Sequence, residues 1–202
     1  MKKLPVLAIG LATLLAGGCS GGSDTSADQH TSVASTTTRP SVAVSVAPPS
    51  AQNNATGRAA VTFDPCVDIG DSTIQKLGFD PSTRQRNDLS ADTYTFLGCG
   101  FEHKTSEGWT DWSLSILATN ITMSEVRNKY KDTARDVTIS GRSAVTYTLS
   151  TLATGDTCFL AMDSSVGVLN LQLDLNPARA TGKPCDRIQQ IAEALQQDLP
   201  KK

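Results

Sequence analysis

The side chains able to do chemistry are few and widely spaced in this 202-residue chain. Ser72, within Gly70-Asp71-Ser72-Thr73, is a candidate nucleophile, but a serine hydroxyl attacks only when a base takes its proton. The chain has two histidines, His30 and His103, so the base would be His103 or an acid beside it. Around His103 the sequence reads FEHKTSEGWTDW, which puts Glu102, an imidazole and the indoles of Trp109 and Trp112 near one strand end. His103 and Trp109, with Arg142 from a later turn, make a candidate ligand cleft. The plainer assignment is a polar hairpin loop, with Trp112 turned into the core, Trp109 partly exposed and Arg142 a turn residue. A hydrolase using Ser72 or an acid near His103 is therefore the alternative to a non-catalytic domain.

Five cysteines carry more information. Cys19 ends an N-terminal stretch, MKKLPVLAIGLATLLAGGC, in which Lys2 and Lys3 precede an apolar run from Leu4 to Leu15 and then small residues. That is the layout of a signal peptide, and the run is too short to span a bilayer. Leu15-Ala16-Gly17-Gly18-Cys19 resembles the lipobox of bacterial lipoproteins, with Ala16 standing where the pattern usually has Leu. The resemblance implies removal of residues 1–18, acylation of Cys19 and residence on the outer face of the cytoplasmic membrane. More than one acyl chain is what stable anchoring needs.

The other four cysteines are Cys66, Cys99, Cys158 and Cys185. Cys66 and Cys185 each follow a proline at a predicted helix start, where a thiol has a lowered pKa and can become reactive. A redox site would want a close pair such as C-x-x-C, and a zinc site would want more histidine or tighter spacing. Neither is present, so no metal and no cofactor is expected. An even count in an exported domain argues for two disulfides with three possible connectivities. Pairing each helix cysteine with the strand cysteine nearest in sequence joins Cys66 to Cys99 and Cys158 to Cys185. Each bond would staple a helix start to the sheet, and closing a loop of about 30 residues contributes roughly 3.5 kcal/mol.

The elements that position these residues begin after a change in composition. Residues 19–60 read as the lipidated cysteine and a disordered tether: 14 of residues 20–60 are Ser or Thr, and none is Leu, Ile, Met or aromatic. Such a stretch cannot bury enough apolar area to offset its ordering entropy. As a flexible coil it would hold the domain roughly 35 Å from its anchor. Residues 61–202 have the length of one domain. The chain has 18 Lys and Arg against 20 Asp and Glu, with no basic run beyond Lys201-Lys202, which argues against nucleic acid as a partner.

Within the domain, Asp64 and Pro65 begin a short helical segment through Ile69, Ile74 and Leu77 that Gly70 can divide. DTYTFLGCGFEH places Tyr94 and Phe96 on one side of a strand and Leu97, Cys99 and Phe101 on the other. DWSLSILA alternates as a half-buried strand. Thr122-Met123-Ser124-Glu125 is a capping box that opens a helix expected to reach about Arg135. Two hairpins follow, and the last strand sets Leu169, Leu171, Leu173 and Leu175 opposite Asn170, Gln172 and Asp174. A C-terminal helix carries a stripe of Ile188, Ile191, Ala192, Leu195 and Leu199. The expected fold class is α+β: a single antiparallel sheet of about six strands covered by three helices and held by two disulfides.

FDPC, FLGCGFE and PCDRIQQIAEAL, following a lipobox and a Ser/Thr/Pro tether, resemble an actinobacterial lipoprotein family of unknown function (domain of unknown function 3558). The similarity spans nearly all of 61–202. It implies an envelope location and an α+β fold and supplies no catalytic residues. The layout is also similar to extracytoplasmic sensor domains of actinobacterial serine/threonine kinases. GDST resembles the opening of a lipase/esterase family that needs a later Asp-x-x-His, and no histidine follows His103. The leading expectation is an anchored, non-catalytic binding or scaffolding domain whose partner is an envelope protein, a lipid or a cell-wall component.

Overall fold

The structure, a computed structural model, describes residues 39–52, 57–149, 151–152, 155–165 and 167–199. The predicted leader, Cys19, His30 and the first part of the tether lie outside the described residues. Helices α1 (Pro65–Asp68) and α2 (Asp71–Lys76) come first, followed by strands β1 (Asp80–Arg86), β2 (Leu89–Ser90), β3 (Thr95–Lys104) and β4 (Thr110–Thr119). Helix α3 (Met123–Lys129) separates these from β5 (Arg135–Ile139), β6 (Arg142–Tyr147), β7 (Thr157–Ser164) and β8 (Gly167–Leu175). Helix α4 (Pro184–Ala194) and one 3-10 turn follow.

One antiparallel sheet results, with seven strands in the order β1-β3-β4-β8-β7-β6-β5 and the two-residue β2 added against β3. The α+β class and two disulfides agree with the sequence reading, whereas the expected six strands and three helices were too few. The additional strand is β1, DPSTRQR, which lacks apolar alternation and carries Pro81. Proline is tolerated there because β1 is an edge strand. The additional helix arises because Gly70, in extended conformation, separates α1 from α2.

Alternation divides the side chains between two faces of the sheet. Leu97, Cys99 and Phe101 of β3, Leu114 and Ile116 of β4, and the leucine row of β8 join one core with α1, α2 and α4. The opposite face collects Val145, Tyr147, Phe159, Ala161 and Val168 in a smaller cluster with Val126 of α3. Three helices thus cover the first face, and the seven-residue α3 is the helix whose buried residue joins the second cluster.

Cys66 is bonded to Cys99 and Cys158 to Cys185, so α1 is fastened to β3 and α4 to β7. The Asp64 side chain caps α1 by accepting from the Cys66 N–H at 3.0 Å. The edge strand adds charged fasteners: buried Arg84 donates to Asp71 at 2.7 Å and to the Cys66 carbonyl at 3.1 Å, while Arg86 reaches Asp64 and Asp88. The capping box of α3 forms as expected, with Glu125 N–H donating to Thr122 and Thr122 N–H donating to Glu125. The helix stops at Lys129, short of Arg135, because Tyr130 leaves helical geometry and Thr133 donates to the Thr148 carbonyl.

The expected tether departs from its reading over residues 39–52. These run along the domain and belong to the same compact unit. Asp71 N–H donates to the Ser41 carbonyl, Ala43 and Ser50 N–H donate to Asp71 and Asp88, and Arg86 donates to the Ala47 carbonyl. Val46 packs against the main core. Backbone bonding to carboxylates presented by the domain orders a segment whose own composition could not.

Candidate functional site

The site expected around His103 does not assemble. His103 and Trp109 belong to the β3–β4 hairpin, whereas Arg142 begins β6, and β8 and β7 lie between β4 and β6. Three strand spacings separate β4 from β6 by roughly 14 Å. His103 Nδ1 hydrogen bonds Asp111 at 2.5 Å. Trp109 is exposed, with the Arg179 guanidinium 4.2 Å from its ring centre, and Trp112 is buried beside Arg187. Arg142 donates to the Asp163 carbonyl at 3.4 Å. Ser72 lies exposed on α2, and among the described residues no hydrogen bond connects it to His103. Among the described residues no group of three His, Cys, Asp or Glu side chains could hold a metal.

A groove is present elsewhere, on the second face of the sheet beside α3. Two adjoining lobes of about 470 and 450 Å³ share Tyr94, Phe96, Lys129, Tyr130, Tyr147 and Asn170 in their walls. Each is within the range of roughly 300–1,000 Å³ usual for small-molecule sites. Strand register builds the floor. Val145 pairs with Ala161, Ala161 with Asn170, and Asn170 with Leu117, which pairs in turn with Gly98. The next row on the same face runs from Tyr147 through Phe159 and Gln172 to Ser115. Gly98 is required at the end of the first row, since a Cβ there would fall on the Asn87 amide. Asn87 closes that end of the groove and donates to Ser115 at 2.8 Å.

Aromatic rings form the middle of the groove. Tyr147 lies between Tyr130 and Phe159, with ring centres 4.1 and 5.1 Å away and planes nearly parallel. Tyr94 and Phe96 meet edge to face at 5.5 Å. Leu89, 58% exposed, lies at the mouth of one lobe. An open apolar surface of this kind in water is typical of a binding site.

Two polar features interrupt it. The Asn170 amide, buried in the floor, donates to the Tyr147 hydroxyl at 2.9 Å, while its Oδ1 has no partner among the described residues. Burial pushes the Tyr147 phenol up from its ordinary value. At the rim, Glu125 is held by Arg58 through bonds of 2.6 and 3.1 Å, which lower its carboxyl to about 2. Lys129 has its ammonium 5.4 Å from the Tyr130 ring centre and no carboxylate within ion-pair distance among the described residues.

None of these groove residues was singled out in the sequence as part of a site: Tyr94, Phe96, Glu125, Asn170 and Gln172 drew attention only as strand or cap positions. The available signal was the aromatic character of Tyr94, Phe96, Tyr147 and Phe159 on the strand side opposite the leucines.

Fold and groove together define a disulfide-stapled α+β domain with an apolar, aromatic-lined recess on one sheet face. The chain matches the family model described as "Protein of unknown function (DUF3558)" over residues 14–197 and belongs to that family. No curated protein and no solved structure matches it. The two disulfides suggest a compartment outside the cytoplasm, and no helix among the described residues is long and apolar enough to cross a membrane.

Proposed function

We propose that the protein is a cell-envelope lipoprotein, anchored through acylated Cys19, whose domain binds the apolar chain of a lipid without catalysing a reaction. The observation that carries this reading is the groove on the second sheet face, where stacked rings line a recess large enough for one acyl chain. A flat face would suit a protein partner better, and the alternative, a hydrolase using Ser72, has no serine–histidine hydrogen bond among the described residues. Anchoring supports the reading because it raises the local concentration of the domain at a lipid surface.

The binding test is displacement of a fluorescent polyene fatty acid from the full-length protein, compared with an Ile121→Trp variant that fills the lip of the larger lobe. The wild type should bind the probe saturably and the variant should lose it. Equal binding by both, or none by the wild type, would refute the groove as the site. Acyl label on Cys19, and its loss when lipoprotein signal peptidase is inhibited, tests the anchor.

A further inference from the structure

The groove carries information about its ligand beyond being apolar. Lys129 is the charged residue common to the walls of both lobes, and the larger lobe adds Glu125. Glu125 is neutralised by Arg58 and further bonded to Thr122, so the charge left over at the rim is positive. The floor also holds unspent hydrogen-bonding groups: as placed, buried Asn170 Oδ1 is an acceptor with no donor among the described residues. As placed, the Asn170 amide donates to the Tyr147 oxygen, leaving the phenol hydrogen without an acceptor among the described residues. With the amide turned over, the phenol would donate to Asn170 Oδ1 and the amide N–H hydrogens would be unspent. Either way, a buried donor on the groove floor has no acceptor. Such a group costs stability unless something supplies one.

We infer that the ligand is a single-chain anionic amphiphile, with its chain along the Tyr130–Tyr147–Phe159 rings, its charged head at Lys129 and an uncharged oxygen hydrogen-bonded to the Tyr147–Asn170 pair. This deepens the lipid-binding reading above and rests on it. Single-chain character is read from the walls the two lobes share, which make them one continuous recess, and the sign of the head from Lys129. A carboxylate and a phosphate monoester share the required chemistry. A cationic head would face an uncompensated ammonium, and a neutral one would leave that ammonium unpaired.

The test is calorimetric titration of the full-length protein with three amphiphiles that share a dodecyl chain and differ in head: phosphate, maltoside and trimethylammonium, each below its micellar concentration. Dodecyl phosphate should bind about fivefold more tightly than the maltoside, the scale expected for a partly exposed charge pair. The trimethylammonium compound should bind most weakly. Lys129→Met should erase the advantage of the phosphate over the maltoside, read as the ratio of the two affinities in the same variant, and Lys129→Glu should favour the cation. Equal affinity for phosphate and maltoside, or an advantage that survives Lys129→Met, overturns the headgroup assignment while leaving the groove as an apolar site. Failure of all three to bind overturns the groove reading itself and the inference with it. A laurate arm separates carboxylate from phosphate as the preferred head.

Discussion

Replacing both members of the polar pair in the groove floor, as Tyr147→Phe/Asn170→Leu, should make the protein more stable and a poorer binder. The wild-type pair has one hydrogen bond of 2.9 Å and one buried amide oxygen without a partner among the described residues. A typical hydrogen bond contributes about 1 kcal/mol net, whereas a buried polar group left unpaired costs about 1–3 kcal/mol. Tyr147→Phe alone removes the bond and strands the whole amide, so it should destabilise by about 1–2 kcal/mol. Asn170→Leu alone removes the orphan oxygen but strands the phenol, and these effects offset to within about 1 kcal/mol. The double variant leaves no polar group behind, and the adjoining groove accommodates the larger leucine. It should gain about 1–2 kcal/mol, which raises Tm by roughly 2–4 °C per kcal/mol for a domain of this size. Urea unfolding of the wild type, both single variants and the double gives the coupling directly. A double variant less stable than wild type by more than about 1 kcal/mol would mean that the pair serves to hold the sheet together, and the reasoning would fail.

Other outcomes follow from the fasteners and the backbone. Cys158→Ser/Cys185→Ser removes a crosslink between residues 27 apart and should cost about 3.5 kcal/mol in chemical denaturation; a loss below about 1 kcal/mol would contradict the staple role. Glu125 falls from an ordinary value of 4.5 to about 2 in the fold, so its contribution is present above pH 4.5 and fades as pH drops towards 2. Glu125→Gln should therefore be less stable than wild type at pH 6, and the gap should close in acid; a gap independent of pH would refute the Arg58 pairing as its source. Gly167 has φ of +132°, and a Cβ there would fall on the Thr119 carbonyl oxygen, so Gly167→Ala should lose at least about 2 kcal/mol, measured as a lower Tm.

Much of the scaffold was legible in the sequence because alternation and capping are local signals. The leucines of β8 stated both its register and its buried face, and the Thr122–Glu125 box marked where α3 begins. Position of the cysteines, two at helix starts and two in strands, conveyed the stapling. Strand β1 was not legible, because its buried side chain is Arg84 rather than an aliphatic residue. What holds Arg84 inside is Asp71 and the Cys66 carbonyl, contributed from the preceding helices. The docked segment 39–52 was hidden for a similar reason: its composition is that of a tether, and its order comes from Asp71, Arg86 and Asp88. Asp88 itself, despite the opposing effect of burial, is held below the ordinary carboxylate range by the Ser50 and Gly98 N–H groups and Arg86.

The groove lay furthest from local signals. Tyr147, Phe159 and Asn170 come from three different strands, and their adjacency depends on the order β8-β7-β6. A chain that alternates Leu169, Leu171 and Leu173 with Asn170 and Gln172 reads as core against solvent. The short α3 makes the second face something else, covering one end of it and leaving the aromatic rings to line a recess. The exposed His103–Trp109 hairpin is conspicuous in sequence because its residues are chemically varied, yet the fold disperses its expected partners.

The most direct test of ligand binding on the second sheet face is an aromatic and amide NMR titration of the full-length protein with dodecyl phosphate. Shift changes should concentrate at Tyr94, Phe96, Tyr130, Tyr147, Phe159 and the Asn170 side-chain amide, leaving Trp109 and His103 unmoved. Changes confined to the His103–Trp109 hairpin, or none at any concentration below micelle formation, would contradict it.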